Sequence, residues 1–342
     1  MKVEIKPYIL KLKYPFGISG NTRTETPVVF IKISHDNIYG IGEASLPPYL
    51  GYYQNDILSV FNSFNFSQYS INDLDRLLTD FKNHSTNCMP ALAALDIALN
   101  DWICKKNKTS CWNMLGVNKD DMGYNAMTIG IDVPEVIEQK VKEASSFKVL
   151  KVKIGSDNDR ELVSTIRKFS DMPIIADANQ GLKNKEDALE LCKWLYDLNC
   201  LLIEQPLNKM DLESHAWLSE RSPIPVIADE SFKKLEDLVY IKNSFSGINI
   251  KLMKCGGLGP ANEIAKLARK NGLKILMGCM NESSCANFAA AQIAPLADWV
   301  DLDGPFLINN NPFEDFEMNE GKIVLSSTPG LGLVVKNEIN LF

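Results

Sequence analysis

Seven polar residues recur along the later part of the chain at a steady interval. They are Lys153, Asp177, Glu204, Asp229, Lys251, Cys279 and Asp301, with gaps of 24, 27, 25, 22, 28 and 22. Each stands at or near the end of a short apolar run: "VLKVKIG", "IIADANQ", "LLIEQPL", "VIADESF", "INIKLMK", "KILMGCMNE" and "WVDLDGP". A buried charge must be paired or coordinated. Asp177, Glu204 and Asp229 come from three successive runs. Together they make a hard oxygen site that favours Mg²⁺, with Mn²⁺ tolerated. The alternative is that each acid pairs with a lysine or caps the next helix.

Counted from "AMTIGID", Lys153 ends the second run of eight and Lys251 the sixth. If the runs close into a ring, the two lysines are diametrically opposed, and a substrate between them presents one face to each amine. One amine can take the α-proton of a metal-bound carboxylate, and the other can return a proton to the opposite face. That inverts the centre, with the developing dianion stabilised by the metal and nearby cations. Lys151 shares the inward face with Lys153, and its charge is expected to help Lys153 act as a base. The alternative is two barrel lysines that serve the carboxylates as salt-bridge partners.

"WVDLDGP" sets Asp301 and Asp303 on alternate positions, hence on one side of a strand. Two like charges side by side call for something positive between them: a metal, a lysine or part of a substrate. No lysine partner is evident nearby in the sequence.

The elements that must position these groups follow from the rhythm. A strand–helix unit every 25 residues or so, repeated through eight strands, is the pattern of a (β/α)₈-type barrel. "EDALELCKWLYDL" and "GPANEIAKLARKNG" supply helices between strands. A doubly wound sheet shares the rhythm but has one crevice, not a mouth common to every strand end. The first third reads as mixed α and β. "KVEIKPYIL" and "PVVFIKI" are strands, "YPFGISGNTRTET" between them a mobile loop, and "MPALAALDIALNDWICKK" a helix with Pro90 in its first turn. After residue 305 the alternation stops, and "KIVLSSTPGLGLVV" reads as a strand and turn that rejoin the first domain. "CGGLGP" has neither a GxGxxG pattern nor a Walker lysine and reads as a tight βα loop.

Composition narrows the class. The net charge is −7 and the sequence pI about 5.2, with no basic run long enough to track a phosphate backbone, so nucleic acid is not an expected partner. No apolar run reaches the length of a membrane span, and the N-terminus lacks the apolar core of a signal peptide. The 8 cysteines form no CxxC and read as free thiols of a reducing compartment, hence cytoplasmic. The 3 histidines (His35, His84, His215) stand at no convincing strand end, which argues against a histidine mechanism and an acid-sugar dehydratase.

The motifs "LKVKIG", "DANQG", "EQP", "ADES" and "IKLMKCGGL", in this order and spacing, resemble the enolase superfamily, specifically its muconate-lactonizing-enzyme-like subgroup. The resemblance extends over nearly the whole chain, including "GEASLPPY" and "ALAALDIALNDW". It implies an α/β fold, a modified TIM barrel (β/α)₇β, with an α+β capping domain built from N-terminal and C-terminal segments. The expected division is a cap over 1–118, a catalytic barrel over 119–308 and a segment over 309–342 that returns to the cap. It further implies that Lys153 and Lys251 are the acid/base pair and that Asp177, Glu204 and Asp229 hold Mg²⁺.

Within the subgroup, "DLDGP" looks like the DxD of dipeptide epimerases, which implies that Asp301 and Asp303 bind a substrate α-ammonium. By the same resemblance Thr128, Lys151, Cys279 and Asn281 line a dipeptide. Arg23 either pairs with an acidic substrate side chain or is a solvated loop residue. Tyr52 and Tyr53 either close the site or pack. Met253, inside "KLMK", stands where relatives often carry a polar residue. The expected activity is epimerisation of an L-Ala-Xaa dipeptide, with Glu or a related residue second, by a cytoplasmic homo-oligomer. The alternatives are a muconate cycloisomerase or o-succinylbenzoate synthase of the same subgroup, or a non-catalytic ligand-binding barrel.

Overall fold

The computed structural model describes residues 1–18, 21–70, 72–86, 88–130, 132–156 and 158–342. Three antiparallel strands open the chain: β1 (Lys2–Ile18), β2 (Asn21–His35) and β3 (Ile38–Ser45). Most of the stretch expected as a mobile loop is instead ladder. Phe16 pairs with Arg23 and Ile18 with Asn21, past a register shift between Lys11 and Phe16. Cross-strand hydrogen bonding carries this polar segment where its composition suggested a loop. Residues 19 and 20, also part of that stretch, lie outside the described residues.

Helices α1 (Gln54–Ser63) and α3 (Met89–Lys106) cover the sheet, and α2 (Leu74–His84) packs against α3. Helix α3 has the expected bounds, with Pro90 in its first turn. It is apolar nearly all round and buried along its length, as a helix between two layers must be. Its backbone lies directly on β3, where a β-carbon at Gly40 or Gly42 would collide with the backbone at Ala98 or Ala94. Only glycine allows that approach. A short helix, α4 (Cys111–Met114), leads out of this region.

The eight expected strands form one parallel sheet: β4 (Ala126–Ile129), β5 (Val149–Lys153), β6 (Ile174–Asp177), β7 (Cys200–Glu204), β8 (Val226–Ala228), β9 (Gly247–Ile250), β10 (Lys274–Gly278) and β11 (Trp299–Asp301). Each pairs with its neighbours in chain order. The two ends meet where Asn125 bridges to Val300, and the Asn125 side chain accepts from Leu302 N at 2.8 Å. The strands therefore curl into a nearly closed barrel. Between them lie α5 (Pro134–Glu143), α6 (Asp159–Arg167), α7 (Lys185–Asp197), α8 (Leu212–Arg221), α9 (Leu238–Ile241), α10 (Leu252–Cys255), α11 (Leu258–Lys270) and α12 (Ser284–Ala291). Within "CGGLGP" Gly256 and Gly257 form the turn between α10 and α11, at φ 94° and 126°, and the other four residues are helical rather than a βα loop.

Two buried acids of the first unit cap helices of the barrel. Asp96 of α3 accepts from the backbone N–H groups of Leu258 and Gly259, at the start of α11. Glu43 of β3 accepts from Ser283 N at 3.0 Å and Ala286 N at 3.1 Å, at the start of α12. A carboxylate at a helix N-terminus satisfies orphan N–H groups and meets the positive end of the dipole. The C-terminal segment touches the first unit, and of "KIVLSSTPGLGLVV" only Lys322–Ile323 is strand among the described residues. Leu331 N donates to Asp101 Oδ1 of α3 at 2.9 Å, and Cys111 N donates to Gly330 O at 3.0 Å. No helix among the described residues is long and apolar enough to cross a membrane.

Candidate active site

The strand C-termini deliver their polar residues to one place. Lys153, Asp177, Glu204 and Asp301 are the last residues of β5, β6, β7 and β11. Asp229, Lys251 and Cys279 stand one residue beyond β8, β9 and β10. A cavity of about 340 Å³ lies over these ends. It is lined by Arg23, Thr128, Lys151, Lys153, Asp229, Lys251, Cys279, Asn281, Asp301 and Asp303, all named from sequence. Asp177 and Glu204 are fully buried, each in contact with Lys151, which lines the cavity.

Every one of the three carboxylates is drawn to a lysine. Asp177 Oδ2 lies 2.7 Å from Lys153 Nζ and 3.0 Å from Lys151 Nζ. Glu204 Oε2 stands 2.8 Å from Lys151 Nζ, but at an angle that makes no hydrogen bond. Asp229 holds Lys251 at 2.8 Å through Oδ2 and Lys254 at 2.6 Å through Oδ1. The alternative salt-bridge reading thus describes these contacts as they stand. Among the described residues, no three His, Cys, Asp or Glu side chains converge as a ready metal cage.

The donor chemistry still fits a hard divalent ion. Three carboxylates stand at neighbouring strand ends, and Glu204 Oε2 is buried with no hydrogen bond among the described residues. Glu204 Oε1 is fixed by Asn249 Nδ2 at 2.6 Å. That contact needs Gly278, because a β-carbon there would overlap the Asn249 amide.

Burial and neighbouring charge divide the site. Burial alone would lower the pKa of Lys151, but Asp177, Asp301 and Glu204 hold it well above the usual lysine value. Lys251 is likewise held high, burial being outweighed by Asp229, Tyr49 and Glu204. Burial works to raise Asp177, yet Lys151 and Lys153 keep its carboxyl below the usual range. Glu204 is pushed up to about 7 by burial and the charge of Asp177, so it is the most readily protonated of the three.

The aspartate pair differs from expectation in one respect. Asp301 does have a lysine: its Oδ2 lies 2.7 Å from Lys151 Nζ. Lys151 is 150 residues away in sequence, brought alongside by closure of the barrel. Asp301 Oδ1 remains buried without a hydrogen-bond partner among the described residues. Asp303 Oδ2 accepts from the backbone N–H of Thr128 at 2.7 Å. Its Oδ1 lies 3.9 Å from the Cys279 thiol. Burial and the neighbouring Asp301 charge push Asp303 up to about 6. A cation entering here would find one unsatisfied oxygen and one weakly satisfied one.

The first unit closes the mouth. Arg23 of β2 lines the cavity and donates to Asn281 Oδ1. Tyr52 also lines it, whereas Tyr53 is 75% exposed and neither closes nor packs. Met253 lines it as well, its sulfur accepting from Ser45 N at 3.2 Å. Tyr49 was not singled out from sequence. Its ring is half exposed, and its hydroxyl donates to the Met280 sulfur. Lys254 was also missed, although its spacing after Lys251 in "KLMK" places it one helical turn on. None of the three histidines lines the cavity.

Comparison with known proteins identifies the family. Residues 1–116 match the mandelate racemase / muconate lactonizing enzyme N-terminal domain, and 134–339 the enolase C-terminal domain-like family. The L-Ala-D/L-Glu epimerase of Bacteroides thetaiotaomicron is 42% identical over 98% of this chain and 88% of its own. The L-Ala-D/L-amino acid epimerase of Flavobacterium johnsoniae is 31% identical over 98% of this chain and 100% of its own. Among solved structures, the substrate-liganded L-Ala-D/L-Glu epimerase of Bacillus subtilis superposes with a TM-score of 0.90 at 26% identity, covering 97% and 98% of the two chains. The dipeptide epimerase of Enterococcus faecalis, complexed with Mg and L-Leu-L-Tyr, gives 0.88 at 28%, with the same coverage. The chain belongs to the enolase superfamily, carrying both domains of the mandelate racemase and muconate lactonizing enzyme family.

Proposed function

We propose that the protein is a Mg²⁺-dependent dipeptide epimerase acting on L-Ala-Xaa, with Glu or a related residue second. The observation that carries this reading is one cavity lined by both Lys153 and Lys251, from the second and sixth of eight strands, with Asp301 and Asp303 beside them. Binding alone requires no base on each face, which disfavours a non-catalytic barrel. Lyase substrates of the subgroup carry no ammonium for the aspartates. The named epimerases at 42% and 31% identity, and the Mg and dipeptide complex, support the same choice.

In this reading Asp177, Glu204 and Asp229 hold Mg²⁺, for which Mn²⁺ can substitute. The ion supplies Lewis acidity that makes the α-proton of a carboxylate removable. Asp301 and Asp303 grip the α-ammonium, and Thr128 N–H and Cys279 hold Asp303 in place. Lys151, fixed by Asp301, directs positive charge toward the substrate carboxylate. One of Lys153 and Lys251 takes the α-proton, and the other protonates the opposite face of the enediolate. Arg23, oriented by Asn281, meets an acidic second side chain. Residues 1–118 and 309–342 form the cap and 119–308 the catalytic barrel. The free cysteines fit a cytoplasmic protein, and family likeness a homo-oligomer.

The test is a dipeptide library incubated in D₂O and read by mass. The expected result is one deuteron gained per inverted L-Ala-Xaa, with acidic second residues preferred. No uptake by any dipeptide in the presence of Mg²⁺ would sink the reading.

A further inference from the structure

Asn179 follows β6 in "DANQG" and has a left-handed backbone, φ 41°, as has Gln180 at 66°. Two consecutive non-glycine residues in that region persist only where their surroundings impose it. Here they do. Gly155, two residues past Lys153, packs back to back with Gly181. A β-carbon on Gly155 would stand 2.5 Å from Ala178 O, and one on Gly181 2.5 Å from the Gly155 Cα. On the other side Gln180 N donates to Gln205 O at 2.8 Å, and Lys209 N donates to the Gln180 side chain at 3.0 Å. The turn is pinned against the loop that carries Lys153.

The pinned turn aims the Asn179 amide at one amine. Lys153 Nζ donates to Asn179 Oδ1 at 3.1 Å as well as to Asp177 Oδ2 at 2.7 Å. The amide's own nitrogen makes a long, 3.4 Å contact to Glu230 Oε1, which sets its oxygen toward the lysine. An amine held by two acceptors keeps both whether it bears two hydrogens or three. The proton that moves is the one they do not hold. Lys251, across the cavity, donates to Asp229, and no side-chain amide among the described residues accepts from it.

We propose that Asn179 is a positioning residue for one of the two bases: its amide oxygen orients the Lys153 amine, and so serves proton transfer on that face only. The inference rests on the epimerase reading above. When Lys153 acts as base, its lone pair takes the α-proton and the substrate keeps the C–H electron pair. When it acts as acid, the proton returns to carbon and the amine is neutral again. In both directions Asn179 Oδ1 accepts a hydrogen that stays on nitrogen.

The test is α-proton washout in D₂O, measured separately from the two epimers of L-Ala-Glu with Mg²⁺ present. Lys153→Ala identifies which epimer uses Lys153. Wild-type exchange from both epimers tests the epimerase reading itself; the ratio between the two faces in variants tests Asn179. Asn179→Gly keeps the left-handed backbone accessible and removes the side-chain amide, the acceptor with its long contact to Glu230. It should slow exchange on the Lys153 face by about ten- to a hundredfold, the range of a hydrogen bond to a charged group. Exchange on the Lys251 face, which also reports that the variant is folded, should stay within about threefold. Asn179→Ala should show the same one-sided loss. Equal loss on both faces, or no loss, overturns the proposal. A one-sided loss in Asn179→Ala alone also overturns it, because the effect would then belong to backbone strain.

Discussion

Lys151 Nζ lies 2.7 Å from Asp301 Oδ2, and the same ammonium touches Asp177 and Glu204. One lysine thus links the proposed ammonium site to the proposed metal site. Asp301 and Asp303 are therefore not equivalent, although they are adjacent on one face of the chain. Asp303→Asn removes a charge whose contacts are a backbone N–H and a thiol. It should act on substrate binding, lowering kcat/KM for L-Ala-Xaa by roughly one and a half to three and a half decades, the equivalent of about 2–5 kcal/mol. Asp301→Asn also loosens Lys151, so it should lower the melting temperature as well. Kinetics on free and N-acetylated dipeptides, with melting curves, separate the two. Equal losses on both substrates would leave the aspartates with a structural role only.

The two lysines should be separable by stereochemistry. Lys153→Ala should stop washout of the α-proton from one epimer and Lys251→Ala from the other, while both abolish net epimerisation. Proton NMR in D₂O reads each epimer directly. Exchange from both epimers surviving in either single variant would exclude bases on opposite faces.

Gly278→Ala tests how Glu204 is held. The added methyl would meet the Asn249 amide, whose Nδ2 donates to Glu204 Oε1 at 2.6 Å. Partners behind a metal ligand typically change metal affinity by about ten- to a hundredfold when lost. After chelation, calorimetric titration with Mg²⁺ should show weakening of that order, with little change in secondary structure. Unchanged affinity would mean that Glu204 keeps its geometry without Asn249.

The barrel and the gathering of its charges were legible because charges that end apolar runs at regular spacing need a common polar mouth to receive them. Lys153, Asp177 and Glu204 carry that signal individually, and each ends its strand as expected. The Lys151–Asp301 pair was not legible, because its partners stand 150 residues apart and meet only through the closed ring. The ladder that pairs Phe16 with Arg23 was missed because its hydrogen bonds leave no apolar pattern to read. Tyr49 sits in a short 3-10 turn with no periodicity, so nothing in its surroundings distinguishes it from a surface tyrosine. Contacts between distant segments are what local pattern cannot supply.

Glu282 makes a pH prediction from a residue of the cap–barrel seam. It is buried at 2% exposure, and its Oε1 has no hydrogen-bond partner among the described residues. Burial, with the nearby charge of Glu43 adding to it, pushes the carboxyl from 4.5 up to about 8. A carboxyl with a raised folded-state pKa binds its proton more tightly in the folded state than in the unfolded one. Its contribution to stability is then fully present below pH 4.5 and is lost as pH rises toward about 8. Glu282→Gln carries no titrating proton, so it should flatten part of that decline. Melting temperatures of both proteins, measured without metal across this window, should diverge: the wild type should fall more steeply with rising pH. Parallel curves would mean that Glu282 is already ionised in the folded protein, its charge compensated by the Met280 N–H and Lys251, which act in that direction.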